Sequence, residues 1–208
     1  PSHPLHKESF YHPETYSYVD NSSNNYLKGD NHWEKGLEVS ENLQKTGILR
    51  PIHNMEVYGS NNIDSLSMDN ALDNFCRNVL LGSAATSFAP PPFGPGLNMK
   101  TRNMIQGVSE ACRRMPGFFK AQPDPDILLE NENNEAYCRS FRDQSWLIYF
   151  PGEGEIKIDF SSLPGTFTKR WLKLPEAHWS PAQKFKGGKV RSFSTIGRSK
   201  YFLLITKE

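Results

Sequence analysis

A carboxylate closing an apolar run is the first feature of the chain that could do chemistry. In Ile48-Leu49-Arg50-Pro51-Ile52-His53-Asn54-Met55-Glu56-Val57-Tyr58-Gly59, a strand period of two sets Ile52, Asn54 and Glu56 on one face and His53, Met55 and Val57 on the other. Pro51 fits only at the start of such a strand. Glu56 then stands at the C-terminal end, just before Gly59, and parallel α/β folds assemble their active sites at that edge. Position alone leaves two roles open for it, a catalytic carboxylate or an ordinary loop carboxylate.

Upstream, Tyr18-Val19-Asp20-Asn21-Ser22-Ser23-Asn24-Asn25 gathers short hydrogen-bonding side chains suited to sugar hydroxyls. The same residue types also make turns and helix caps. Downstream, Thr86-Ser87-Phe88-Ala89-Pro90-Pro91-Pro92-Phe93-Gly94-Pro95-Gly96-Leu97 is a stiff aromatic loop able to wall a cleft. His3, His6, His12 and His32 are scattered, and His53 falls opposite Glu56, packed or hydrogen-bonded against a helix; no metal site is expected. Cys76, Cys112 and Cys138 show no CxxC spacing and read as buried free thiols. Phosphate-cradling GxGxxG and P-loop patterns and the nucleophile elbow GxSxG do not occur, so no cofactor is expected.

These groups need elements to hold them. Met68, Ala71, Leu72, Phe75, Cys76, Val79 and Leu80 form one helical stripe ended by Gly82. Met104, Ile105, Val108, Ala111, Cys112 and Met115 form a second, closed by Arg113, Arg114 and Pro116. A weaker helix is expected over residues 33–44, and strands over 16–21, 48–58 and 84–88. Strand and helix then alternate three times, the pattern of a parallel sheet. From residue 136 the character changes: strands are expected over 136–141, 145–150, 155–160, 167–174, 190–194 and 201–206, separated by turns such as Pro151-Gly152-Glu153-Gly154 and Gly187-Gly188. Ile156, Ile158 and Phe160 against Lys157 and Asp159 is the alternation of a half-buried sheet. The expected division is therefore an α/β part over residues 1–122 and a small antiparallel β-sandwich over residues 123–208. The roughly 120 residues of the first part hold three βα units, where a closed (β/α)8 barrel takes about 250.

With 24 basic and 23 acidic residues the formal net charge is +1, which gives no support to nucleic-acid or membrane-surface binding. Lys184, Lys186, Lys189, Arg191, Arg198 and Lys200 fall in turns and alternate strand positions, a solvated face. No apolar run approaches the about eighteen residues of a membrane span, and Pro1-Ser2-His3-Pro4 carries no signal-peptide pattern. The absence of an initial Met suggests a chain that starts within a gene product.

The segments Asp20–Asn25, Arg50–Gly59 and Phe93-Gly94-Pro95-Gly96-Leu97-Asn98 resemble the last three βα units of the apiosidase-like (β/α)8 glycoside hydrolases. The tail, Tyr149-Phe150-Pro151-Gly152-Glu153-Gly154 followed by Phe167-Thr168-Lys169-Arg170-Trp171, resembles the β-sandwich, labelled collagen-binding, that follows such barrels. The resemblance implies the C-terminal barrel units plus that sandwich, from a retaining glycosidase acting on a plant or microbial polysaccharide. It makes Glu56 the nucleophile, matched to the carboxylate ending the seventh barrel strand. A second carboxyl about 5–5.5 Å away serves such chemistry as acid and then base; the resemblance sets it on an earlier strand, upstream of Pro1. Asp20, Asn21, Ser22 and Asn24 would meet sugar hydroxyls, Asn54 and Tyr58 would position Glu56, and Phe88 would line the subsite. Before Pro90 the family often carries a basic or histidine residue, where this chain has Phe88-Ala89. A secreted or periplasmic bacterial location follows, with the signal upstream.

Two other readings remain. The sandwich, with Trp171 and Trp179 as candidate platforms, could make a non-catalytic carbohydrate- or matrix-binding protein. Alternatively this chain, lacking its acid/base half, is inactive by itself.

Overall fold

Two periodicities in the apolar residues become two kinds of sheet. The computed structural model describes residues 4–21, 27–48, 50–58, 67–92 and 94–208, and of residues 4–7, 55 and 56 the backbone alone. The chain forms two compact units, Pro1–Asn98 and Met99–Glu208.

The first unit runs α1 (Pro4–Tyr11), β1 (Val19–Asp20), α2 (Gly29–Lys45), β2 (Ile52–Val57), α3 (Met68–Leu81) and β3 (Ala85–Phe88). The strands lie in the order β1-β2-β3 and all pair in parallel, as the strand-helix alternation requires. Strand β1 is shorter than residues 16–21 because the carbonyls before it have another partner. Arg50 Nη1 donates to Tyr16 O at 3.0 Å and Tyr18 O at 3.4 Å. The same guanidinium reaches Ser9 O at 2.6 Å and Phe10 O at 2.9 Å. It thereby ties down α1, an eight-residue helix that sequence patterning does not reveal.

Helix α2 begins four residues before the expected start, since Lys28 at its N-cap makes no side-chain cap and leaves no signal to read. Val39 and Leu43 from α2 meet Val19 and Ile52 in a small core. Helix α3 has both of its ends written in sequence: Ser67 Oγ accepts from Asn70 N at 3.3 Å, and Gly82 closes it with φ 89°, a left-handed value that favours glycine. Phe75 of α3 meets Phe88 of β3 at 5.1 Å. Leu81 packs against Gly36 of α2, where a Cβ would overlap its Cδ1.

The second unit begins with α4 (Met99–Arg114) and continues with β4 (Gln122–Pro123), β5 (Tyr137–Phe141), β6 (Ser145–Phe150), β7 (Glu155–Asp159), β8 (Thr166–Leu174), β9 (His178–Trp179), β10 (Gln183–Lys186), β11 (Val190–Ser194) and β12 (Lys200–Lys207). The larger sheet has the order β10-β8-β12-β6-β5-β4 with β9 on β8, and β11 pairs with β7 in a second sheet. Strands β5, β6, β7, β8, β11 and β12 fall within a residue of expectation. The short β4, β9 and β10 were not expected, because two to four residues cannot show a period. Residues of both sheets share one aromatic core: Phe160 meets Trp146 at 5.5 Å, Phe167 at 4.9 Å and Phe193 at 6.3 Å. Ile156, Ile158 and Phe160 are fully buried, which is the half-buried alternation read from β7. Gly107 lets α4 lie close on β8, since a Cβ there would stand 2.6 Å from Leu174 Cδ2. By packing α4 thus belongs with the second unit, whereas composition changes only at Pro123.

Cys76 and Cys138 are buried and Cys112 partly so, all three as free thiols. Burial pushes the Cys112 thiol up to about 12 and the Cys138 thiol well above the ordinary range. Among the described residues no helix is long and apolar enough to cross a membrane, and no three His, Cys, Asp or Glu side chains could hold a metal ion together.

Candidate functional site

Because β1, β2 and β3 run parallel, their C-terminal ends share one edge, at Asp20, Val57 and Phe88. Asp20 and Asn21 are both buried there. Asp20 N donates to Ser9 Oγ at 2.9 Å, and Asn21 N donates to His53 O at 2.8 Å, so the segment is fixed through its backbone. The Oδ1 of Asn21 has no hydrogen-bond partner among the described residues, which leaves an acceptor at the sheet edge. Ser22 and Asn24 lie outside the described residues.

The two faces of the sheet carry different side chains. Val19 and Ile52 are register partners and pack on α2, so that face is the helix-covered one. By alternation Asn54 shares it, paired with Thr86. Phe88 lies two residues beyond Thr86 and rests on Phe75 of α3. The amide of Asn54 and the hydroxyl of Thr86 are buried without hydrogen-bond partners among the described residues. Asp20 and His53 are paired and occupy the opposite face. The structure therefore brings Asp20 together with His53 and sets Asn54 and Phe88 behind them, against the helices. The His53 ring meets Tyr18, from the lead-in to β1, edge-on at 5.9 Å. Tyr58 follows β2 and is half-buried.

Register breaks just before the predicted carboxylate. Asn54 pairs with Thr86 but Val57 pairs with Phe88, so β2 carries one residue more than β3 over this stretch. This is the count of a β-bulge, a device that re-aims residues and recurs next to active sites. Ile52 and Asn54 share a face, as simple alternation expects, and the irregularity lies between Asn54 and Val57. The Glu56 side chain lies outside the described residues; its backbone is in the last turn of the pleat before Val57.

Two groups escaped sequence reading. Arg50 organises the approach to β1, as above. His32 on α2 is fully buried, and burial, with the Arg77 charge in second place, holds its imidazole down to about 3. A lone histidine at a helix start gives no sequence signal of that kind. In the second unit Trp171 is buried against Phe150 at 5.5 Å and Tyr201 at 5.9 Å, so it is a core residue and no platform. Trp179 is half-buried beneath the Arg114 guanidinium at 4.9 Å. The basic side chains near the C-terminus make surface contacts: Lys184 reaches Glu208 at 2.8 Å, and Arg198 faces Glu153 at 3.8 Å with both well exposed.

No protein-family model matches the chain, and no curated protein matches it. Solved structures do. A glycoside hydrolase family 5 protein from Bacteroides vulgatus aligns with a TM-score of 0.68 at 15% identity over 95% of this chain and 52% of its own. Another, described only as a glycoside hydrolase, gives 0.66 at 14% identity over 88% of this chain and 48% of its own. A noncanonic maltogenic α-amylase from Thermotoga neapolitana gives 0.55 at 8% identity over 96% and 53%. The chain thus has a glycoside hydrolase-like fold of mixed helix and sheet, and it spans about half the length of the structures it matches.

Proposed function

We propose that this chain is the C-terminal half of a retaining glycoside hydrolase that cleaves a plant or microbial polysaccharide. In this reading residues 1–122, the first unit together with α4, supply the last three βα units of a (β/α)8 barrel of the apiosidase-like kind, and residues 123–208 form the β-sandwich that follows it. The observation that carries the proposal is positional. Glu56 sits at the C-terminal end of β2, the middle strand of a parallel sheet, with Asp20 and Asn21 buried at the adjoining end of β1.

Glu56 attacks the anomeric carbon as nucleophile, expelling the leaving group as a glycosyl-enzyme ester forms. A second carboxyl, supplied by residues outside this sequence, protonates the leaving oxygen and then deprotonates the hydrolytic water. Asp20 and Asn21, with Ser22, Asn24 and Tyr58, hold sugar hydroxyls. Asn54 and Phe88 act from behind, Asn54 in the bulged strand that delivers Glu56 and Phe88 by seating β3 on α3. Secretion follows from a polysaccharide substrate. In the full protein, Glu56→Gln is expected to lower kcat by about four orders of magnitude while the fold is retained, as for other covalent nucleophiles. Full retained turnover would falsify the assignment. The 208-residue chain alone is expected to show no turnover.

A further inference from the structure

We propose that the second unit carries a binding pocket for the carboxylate of an acidic saccharide, built around Arg114 and Arg170; the saccharide part of this inference rests on the glycosidase reading above. A cavity of about 410 Å³ is lined by Arg114, Pro116, Thr168, Arg170, Leu204 and Thr206, within the roughly 300–1,000 Å³ of small-molecule sites. Register explains its floor. Leu204 pairs with Arg170 and Thr206 with Thr168, so all four side chains leave the same face of β8 and β12. Arg114, from the last turn of α4, and Pro116 form the wall.

One of the two charges inside is uncompensated. Arg170 has no ion-pair or hydrogen-bond partner among the described residues. Arg114 is held from two sides, by Nε donating to Glu110 Oε1 at 2.6 Å and by the Trp179 ring below its guanidinium at 4.9 Å. Its two terminal nitrogens have no partner among the described residues. The neighbouring acids are already engaged: Glu110 with Arg113 and Arg114, and Glu208 with Lys184 and with Thr168 Oγ1, which donates to it at 2.8 Å. No carboxylate lines the cavity. Two planar forks suit a carboxylate, to which arginine donates in pairs. Threonine hydroxyls beside Leu204 and Pro116 offer a pyranose ring both hydrogen bonds and an apolar surface.

The test is an amide-shift NMR titration of the full chain with digalacturonate, with the neutral disaccharide galactobiose, and with sodium sulfate at matched ionic strength. Digalacturonate is expected to shift Arg114, Arg170 and Thr206 while galactobiose leaves them in place, and Arg170→Gln is expected to weaken binding roughly tenfold or more with the circular dichroism unchanged. Arg170→Lys, which keeps the charge and removes the fork, replaces it if the glutamine variant does not fold, with weakened binding again expected. Sulfate binding as tightly as digalacturonate, equal binding of galactobiose, or an arginine variant of full affinity each overturns the proposal. Shifts confined to Asp20 and Asn21 overturn the pocket and leave the glycosidase reading standing. Digalacturonate seated at Arg170, beside a Glu56→Gln parent that still hydrolyses, supports the pocket and removes the glycosidase reading.

Discussion

At the scale of residues, Arg50 gathers a whole segment of backbone around one side chain. One guanidinium satisfies carbonyls of Ser9, Phe10, Tyr16 and Tyr18. Because hydrogen bonds from a charged donor are among the stronger kind and the abandoned carbonyls are partly buried, Arg50→Ala is expected to destabilise the chain by about 3 kcal/mol. Chemical denaturation reads this directly, and hydrogen exchange should rise first across residues 9–18. His32 makes a second case. Its imidazole is held near 3 in the folded chain against 6.5 in the unfolded one. Between those values the unfolded state takes up a proton that the folded state refuses, so stability is fully present above about pH 6.5 and is lost as pH falls toward 3. The slope contributed is up to ~1.4 kcal/mol per pH unit. Urea midpoints at pH 7.5 and pH 5 should show a smaller drop for His32→Gln than for the native chain. Thiol chemistry offers a third check. With Cys112 and Cys138 pushed far up by burial, a disulfide reagent at pH 8 should label the native chain slowly and the urea-unfolded chain at once.

At the scale of elements, the clearest signals were those in which local chemistry and tertiary packing agree. Helix α3 shows its stripe and its glycine terminator in sequence order, and the structure adds the cap at Ser67. Ser67→Ala and Gly82→Ala are each expected to cost about 1 kcal/mol, measured as additive shifts in thermal or urea midpoints. Strands β5 to β8 and β11 to β12 were equally legible, because alternation over five or more residues meets a single apolar core. Helix α1 was not, since Arg50, some forty residues on, decides its place. Strand β1 was overdrawn for the same reason: its lead-in is strand-like in composition, but its carbonyls bond a side chain in place of a neighbouring strand. The candidate site was legible as an address and illegible in phase. Glu56 could be read as a strand-end carboxylate, yet no local residue type announces the extra residue between Asn54 and Val57.

At the scale of the whole molecule, two units of different construction lie on one chain, each with its own sheets. The likeness to glycoside hydrolases extends across both, at identities too low to carry function with them. The function proposed here predicts a natural product about twice as long, a size that intact-mass measurement of the native protein decides. A product of 208 residues would leave Glu56 without a second carboxyl and turn attention to binding.

The guanidinium of Arg50 also sets an order of events during synthesis. Residues 9–18 leave the ribosome 32 to 41 residues before the side chain that gathers their carbonyls. Whatever shape that segment takes on emergence is provisional, and the amino-terminal stretch of this chain acquires its native form only after β2 has been made.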